Sequence, residues 1–172
     1  MKRVIYAVIT IGLALCPVAV YAVTAPLSDV QIEYIRNNCA DTQIALRRIH
    51  ATDGLAFVSL TEQYNVLSTR LMAPMNSRAA INNLNSVKLA KITADFNEQV
   101  KSFRSLYTTY EQTVTTAMNM ACYNQPVEFY DDISSILDMR TKVRTTTDAI
   151  NNLTTQYQAE VASLEQKVLG AS

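Results

Sequence analysis

The sequence predicts an all-α fold, an antiparallel three-helix coiled-coil bundle of long helices behind a signal peptide. Three observations predict it. Pro26, Pro74 and Pro126 divide the chain beyond residue 22 into long blocks, and within them only Gly54 and the near-terminal Gly170 add a second kind of breaker. Proline and glycine are the strongest local breakers of regular structure, so their scarcity across blocks of this length favours long helices. Apolar residues then recur at alternating steps of three and four, which is the heptad signature. Finally, Cys39 and Cys122 form an even pair once Cys16 leaves with the signal segment, and an even pair in an exported chain most simply makes one disulfide.

Residues 1–22 read as the signal. Lys2 and Arg3 form a positive start, Val4 to Val20 an apolar stretch, and Val20-Tyr21-Ala22 a small-residue cleavage site, so the mature chain should begin at Val23. The alternative is an uncleaved anchor over residues 4–23, which is about long enough to cross a bilayer; Pro17 weakens it. A lipoprotein would use Cys16, but Leu15 before it is too large. Either way the domain at 23–172 is expected outside the cytoplasm: periplasmic, on the cell surface or extracellular.

Losing Lys2 and Arg3 leaves 13 basic residues against 15 acidic ones, a net charge of −2. That excludes a globally basic nucleic-acid binder. His50 is the single histidine, and the cysteine spacings match no zinc pattern, so no metal or cofactor is expected.

The first helix, about 28–72, should start at Ser28. Ser28 with Gln31 makes a capping box, and Leu27 with Ile32 a hydrophobic staple. Its inward stripe runs Ile32, Ile35, Cys39, Thr42, Leu46, Ile49 and, after a slip at Asp53-Gly54, Phe57, Leu60, Tyr64, Leu67 and Leu71. A slip of this size is a stutter, which locally unwinds a supercoil, so a continuous bent helix is expected through Gly54.

A loop follows at about 73–85. A tight turn at Pro74 would set Cys39 opposite position 109, leaving Cys122 nearly ~20 Å out of register at about 1.5 Å per residue. The bridge therefore needs a wide connection, either a loop or a short offset helix. Asn76, Asn82, Asn83 and Asn85, all poor helix formers, suit it.

The second helix, about 86–122, carries Leu89, Ile92, Phe96, Val100, Phe103, Tyr107, Tyr110, Val114 and Ala117. The third, about 126–168, opens with Pro126 at its first position and Glu128 favouring the positive helix start. Phe129, Ile136, Val143, Ile150, Tyr157 and Leu164 recur every seven residues, with Ile133, Met139, Leu153, Val161 and Val168 beside them. Thr145, Thr146, Thr147 and Thr154 lower helix propensity, so packing must hold this helix.

Asn37-Asn38-Cys39, Ile49-His50-Ala51-Thr52-Asp53, the run from Leu71 to Arg78 and Cys122-Tyr123-Asn124-Gln125-Pro126 resemble phrases in small exported helical proteins of ultrasmall, host-dependent candidate-phyla bacteria. The resemblance spans most of the chain beyond the signal. It implies an exported location and a helical architecture, and it carries over no catalytic residue.

His50 and Asp53 share a helix face at a spacing compatible with a metal pair, but no second histidine or carboxylate joins them in register. A serine nucleophile would need a base, and His50 has no recognisable partner motif. No glycine-rich phosphate loop exists. No enzyme is expected. Charge is the remaining signal. Gln63 to Ala94 holds no acidic residue but contains Arg70, Arg78, Lys88 and Lys91, while Asp29, Glu33, Glu128, Asp131 and Asp132 gather at the opposite end. The tip, with Arg70, Met72, Met75, Arg78, Lys88 and Lys91, is the expected binding surface for a protein or an anionic envelope component. The function expected is a non-enzymatic interaction or structural protein of the cell envelope or secretome. An envelope chaperone or adhesin-like binder, or an anchored sensor ectodomain, are the alternatives.

Overall fold

A computed structural model describes residues 26–170, and these are all-helical, with no strand among them. The expected signal segment lies outside the described residues. Five α-helices follow in order: α1 (Asp29–Asn37), α2 (Cys39–Val66), α3 (Ala73–Ile81), α4 (Val87–Asn119) and α5 (Pro126–Gly170). A π-helical segment, Leu67–Met72, joins α2 to α3. Among the described residues no helix is long and apolar enough to cross a membrane.

Ser28 begins α1 as the sequence requires. Its hydroxyl accepts from the Gln31 backbone N–H while the Gln31 side chain accepts from the Ser28 N–H, closing the capping box. The helix expected at 28–72 is not one piece, however. It breaks at Asn38, whose φ of −104° and ψ of 7° leave the helical region. The Asn38 side-chain amide donates to the Tyr34 carbonyl, the kind of local competition by which asparagine ends helices. Gly54, by contrast, lies within an unbroken α2, and a methyl group there would meet nothing nearer than the Tyr107 hydroxyl at 3.6 Å.

The larger correction concerns residues 73–85. Helix persists to Ile81, leaving only positions 82–86 outside it, so the offset-helix form of the connection is the one adopted. Pro74, at the first turn of α3, lacks an N–H and would crowd the carbonyl four residues back; the π-helical segment ends just ahead of it. Asn83 turns the chain with a positive φ of 56°, a conformation that asparagine tolerates. The π-helical segment also moves the inward stripe. Leu71, expected inside, is 56% exposed, whereas Met72 is 2% exposed. Widening the helical turn advances the buried face by one residue.

The second helix ends at Asn119 rather than at 122, and Gln43 fastens its end by donating to the carbonyls of Ala117 (3.2 Å) and Met120 (2.8 Å). Cys39 and Cys122 meet at disulfide distance, with Cα atoms 5.7 Å apart. Asp53 lies against Tyr110, Ser68 against Asn97, and Asn76 against Thr93, so partners on α4 fall in number as those from α2 to α3 rise. Helix α5 passes back along both, Arg140 meeting Asp53 and Glu160 meeting Lys88.

The core forms two apolar clusters. One, centred on Tyr64, Phe96, Phe103 and Ile150, reaches Met72, Tyr157 and Leu164; the other gathers Leu46, Tyr110, Val114, Cys122, Phe129 and Ile136. Phe57 bridges them, stacked on Tyr107 with ring centroids 3.8 Å apart. Every stripe residue expected on α4 is buried, as are Phe129, Ile136, Ile150, Tyr157 and Leu164 on α5, while Val168 is exposed.

Candidate functional site

Polar chemistry gathers at two levels of the molecule. The first lies between the two apolar clusters. His50 and Asp53 share one face of α2, but their partners differ. His50 Nε2 sits 2.5 Å from Glu111 Oε1 on α4. Asp53 Oδ2 accepts from the Tyr110 hydroxyl at 2.5 Å, and Arg140 from α5 grips both oxygens of the same carboxylate, Nε to Oδ2 at 3.0 Å and Nη2 to Oδ1 at 3.2 Å. This forked guanidinium–carboxylate contact is strong and directional, so it fixes the rotation of three helices at one level. Among the described residues no three metal-ligating side chains lie together.

Beside this layer a shallow apolar slot of about 160 Å³ is lined by Phe57, Leu60, Phe103, Tyr107 and Val143, with Arg140 and Arg144 among its polar walls. The Tyr107 hydroxyl is buried and has no hydrogen-bond partner among the described residues. Burial, and then the Glu111 carboxylate, push its phenol up to about 12. Burial, and then the hydrogen bond to Asp53, hold Tyr110 well above the ordinary phenol range, and burial also raises Tyr64 and Tyr157. A phenol whose folded pKa exceeds its unfolded value of 10.0 supports the fold fully below that pH. That support disappears as pH climbs through the folded value. Thermal stability should therefore hold up to about pH 10 and fall above it, as the buried phenols ionise. Titration of Tyr64, Tyr107, Tyr110 and Tyr157 near their ordinary value with the helices intact would contradict this burial.

The second level is the end where α3 meets the far part of α5. Here the expected tip residues separate. Arg70, Met72, Met75 and Arg78 line one groove of about 560 Å³, whose floor and far wall are Leu67, Tyr157, Val161 and Glu165. Lys88 and Lys91 line a different groove with Glu160. The expectation that all four cations lack a neighbouring carboxylate fails for the lysines. Lys88 Nζ lies 2.5 Å from Glu160 and Lys91 Nζ 2.6 Å from Asp95. Glu160 comes from α5, which returns beside the start of α4. Arg70 and Arg78 are exposed and form no ion pair among the described residues. Met72 is buried, so it supports the groove from beneath while Met75 lines it at half-burial.

A polar relay that the sequence did not announce holds the groove wall in place. The Tyr157 hydroxyl donates to Asn76 Oδ1 at 2.8 Å with the Met72 carbonyl also within reach at 3.1 Å. Asn76 Nδ2 in turn donates to Thr93 Oγ1 at 2.9 Å, and Thr93 to the Leu89 carbonyl. Asn76, expected as a loop former, thus ties α3 to α4 and α5. The signal for it was a tyrosine interrupting the aliphatic stripe of α5, since a buried phenol needs a polar partner.

At the opposite end Asp29 lies in the first turn of α1 and Glu128 in that of α5, where carboxylates favour the positive helix starts. Burial, and then the adjacent Asp131, raise the Asp132 carboxyl. Val30, Tyr34, Tyr123, Val127 and Tyr130 are exposed among these acids. Comparison with known protein families, curated proteins and solved structures finds no match for the chain.

Proposed function

We propose that this protein is an exported, non-enzymatic interaction or structural protein of the cell envelope or secretome, built as an antiparallel three-helix coiled coil that grips its partner with the groove between α3 and α5. The observation that carries this reading is the groove. It presents apolar side chains beside two arginines that form no ion pair among the described residues, the combination that binding surfaces favour: adaptable apolar contact with charge at the margin. The two cysteines at disulfide distance suit an oxidising compartment outside the cytoplasm. A protein or other envelope component with anionic groups beside an apolar surface fits the arginines.

Because the lysines are paired and the arginines are not, the two sets of cations should behave differently. In capture from envelope extract, Arg70→Gln/Arg78→Gln is expected to lose the partner. Lys88→Gln/Lys91→Gln should keep it, and capture by the unaltered protein should weaken with salt. Equal recovery by all three proteins at every salt concentration would leave the groove an ordinary surface hollow.

A further inference from the structure

Taking the groove as the gripping surface, we propose that its occupant is the outward face of helix α1 of a second copy of this chain, so that molecules join head to tail.

Helix α1 has no buried residue. Ile35 packs partly against the core, and Arg36 anchors the helix by donating to the Tyr123 carbonyl at 3.2 Å. Its other face is open: Val30 is 80% exposed and Tyr34 69%. These two stand one helical turn apart, and Asp29 and Glu33 run beside them at the same spacing, Glu33 held loosely by Arg36 at 3.9 Å and accepting from the Asn37 amide at 3.3 Å. The result is an apolar ridge with an anionic margin, the form of helix that lies in an apolar groove by anchors at i and i+4.

The groove offers the complement. Leu67, Met75, Tyr157 and Val161 provide the apolar bed, and Arg70 and Arg78 stand on one side only, with Glu165 on the other wall. Arg70 and Arg78 are about 12 Å apart along the helix axis, enough to bracket two carboxylates about 6 Å apart. Glu165 across the bed sets the polarity, because it disfavours the orientation that brings Asp29 and Glu33 to its wall. Opposite charges across such a contact guide encounter and fix register.

The two surfaces lie at opposite ends of the molecule, separated by roughly 50 Å, the length of the 33-residue α4. One molecule cannot fill its own groove, and using both surfaces joins unlike patches. Joined end to end, such unlike patches grow into an open chain unless the rotation at each contact closes a ring.

Sedimentation of the purified exported protein over a range of concentrations tests this. At low salt the average mass should rise continuously past that of a dimer, and it should fall back toward the monomer at about 0.5 M salt. Arg70→Glu/Arg78→Glu and Asp29→Lys/Glu33→Lys, each confirmed as folded by circular dichroism, should each weaken association by about tenfold or more. Mixed together, the two variants should assemble again, because each then meets a complementary end. A wild type that stays monomeric to about 1 mM, a mass that stops at the dimer, or variants that associate like wild type would each overturn head-to-tail docking. If the wild type is monomeric while Arg70→Gln/Arg78→Gln still loses the envelope partner, self-docking fails and the groove keeps its gripping role. If capture is also unchanged, both fail.

Discussion

Ile150→Asp is expected to lower stability by about 3 to 5 kcal/mol, the cost of burying a carboxylate without a cation while removing apolar contact. Ile150 is 0% exposed and belongs to the cluster with Tyr64, Phe96, Phe103 and Tyr157. It lies at the middle of the α5 stripe, one heptad from Val143 and one from Tyr157, so no neighbouring turn lets the side chain reach water. Single domains are stable by only about 5 to 15 kcal/mol, so the loss is a large share of the total. The thermal midpoint should fall by about 10 °C or more for a domain of this size. Leu137→Asp, on the same helix but at a 59% exposed position, should stay within about 0.5 kcal/mol of wild type. A midpoint for Ile150→Asp within a degree or two of wild type would mean that α5 presents another face to the core.

Replacing both Cys39 and Cys122 with Ser is expected to cost about 4 to 5 kcal/mol, because a bond across 83 residues restricts the unfolded chain strongly. Non-reducing peptide mapping should find the two joined within one chain. Cys122 is 1% exposed, so reduction should need denaturant or long incubation. Two free thiols, or a bond between two chains, would remove this contribution and leave helix packing alone to set the end of the molecule.

The stripes of α4 and α5 were legible because each helix runs without a break. Each residue from Leu89 to Ala117 that the heptad placed inside is inside, as is Phe129 through Leu164 apart from the half-buried Val143. The first third was less legible. A π-helical turn leaves no mark on composition, so the pattern continued to Leu71 where the structure turns Met72 inward. The break at Asn38 was hidden for a different reason. Asparagine can sit within a helix or end it, and the outcome depends on a side-chain bond to Tyr34 that spacing does not record.

Arg70, Met75 and Arg78 line one groove, but the spacing did not show that Lys88 and Lys91 meet carboxylates. Lys88 meets Glu160 only because α5 returns with a particular rotation, which a one-dimensional pattern leaves free. The same holds for Asp53 and Arg140, 87 positions apart in sequence. Their contact ties Asp53 to α5, while His50 meets Glu111 on α4.

The position of Cys39 as the first residue of α2 has a mechanical side. Pulled from its two ends with the bond formed, the chain would carry tension from α1 straight across the sulfurs to Cys122 and on into α5. The span between the cysteines, from α2 to α4, would sit outside the load path. An 83-residue separation hides about 280 Å of contour at ~3.4 Å per residue, so a stretched molecule would yield α1 and α5 but hold that length in reserve. Only a reductant reaching Cys122 would release it. Redox state would then set not just how firmly the protein folds but how far it can extend under load.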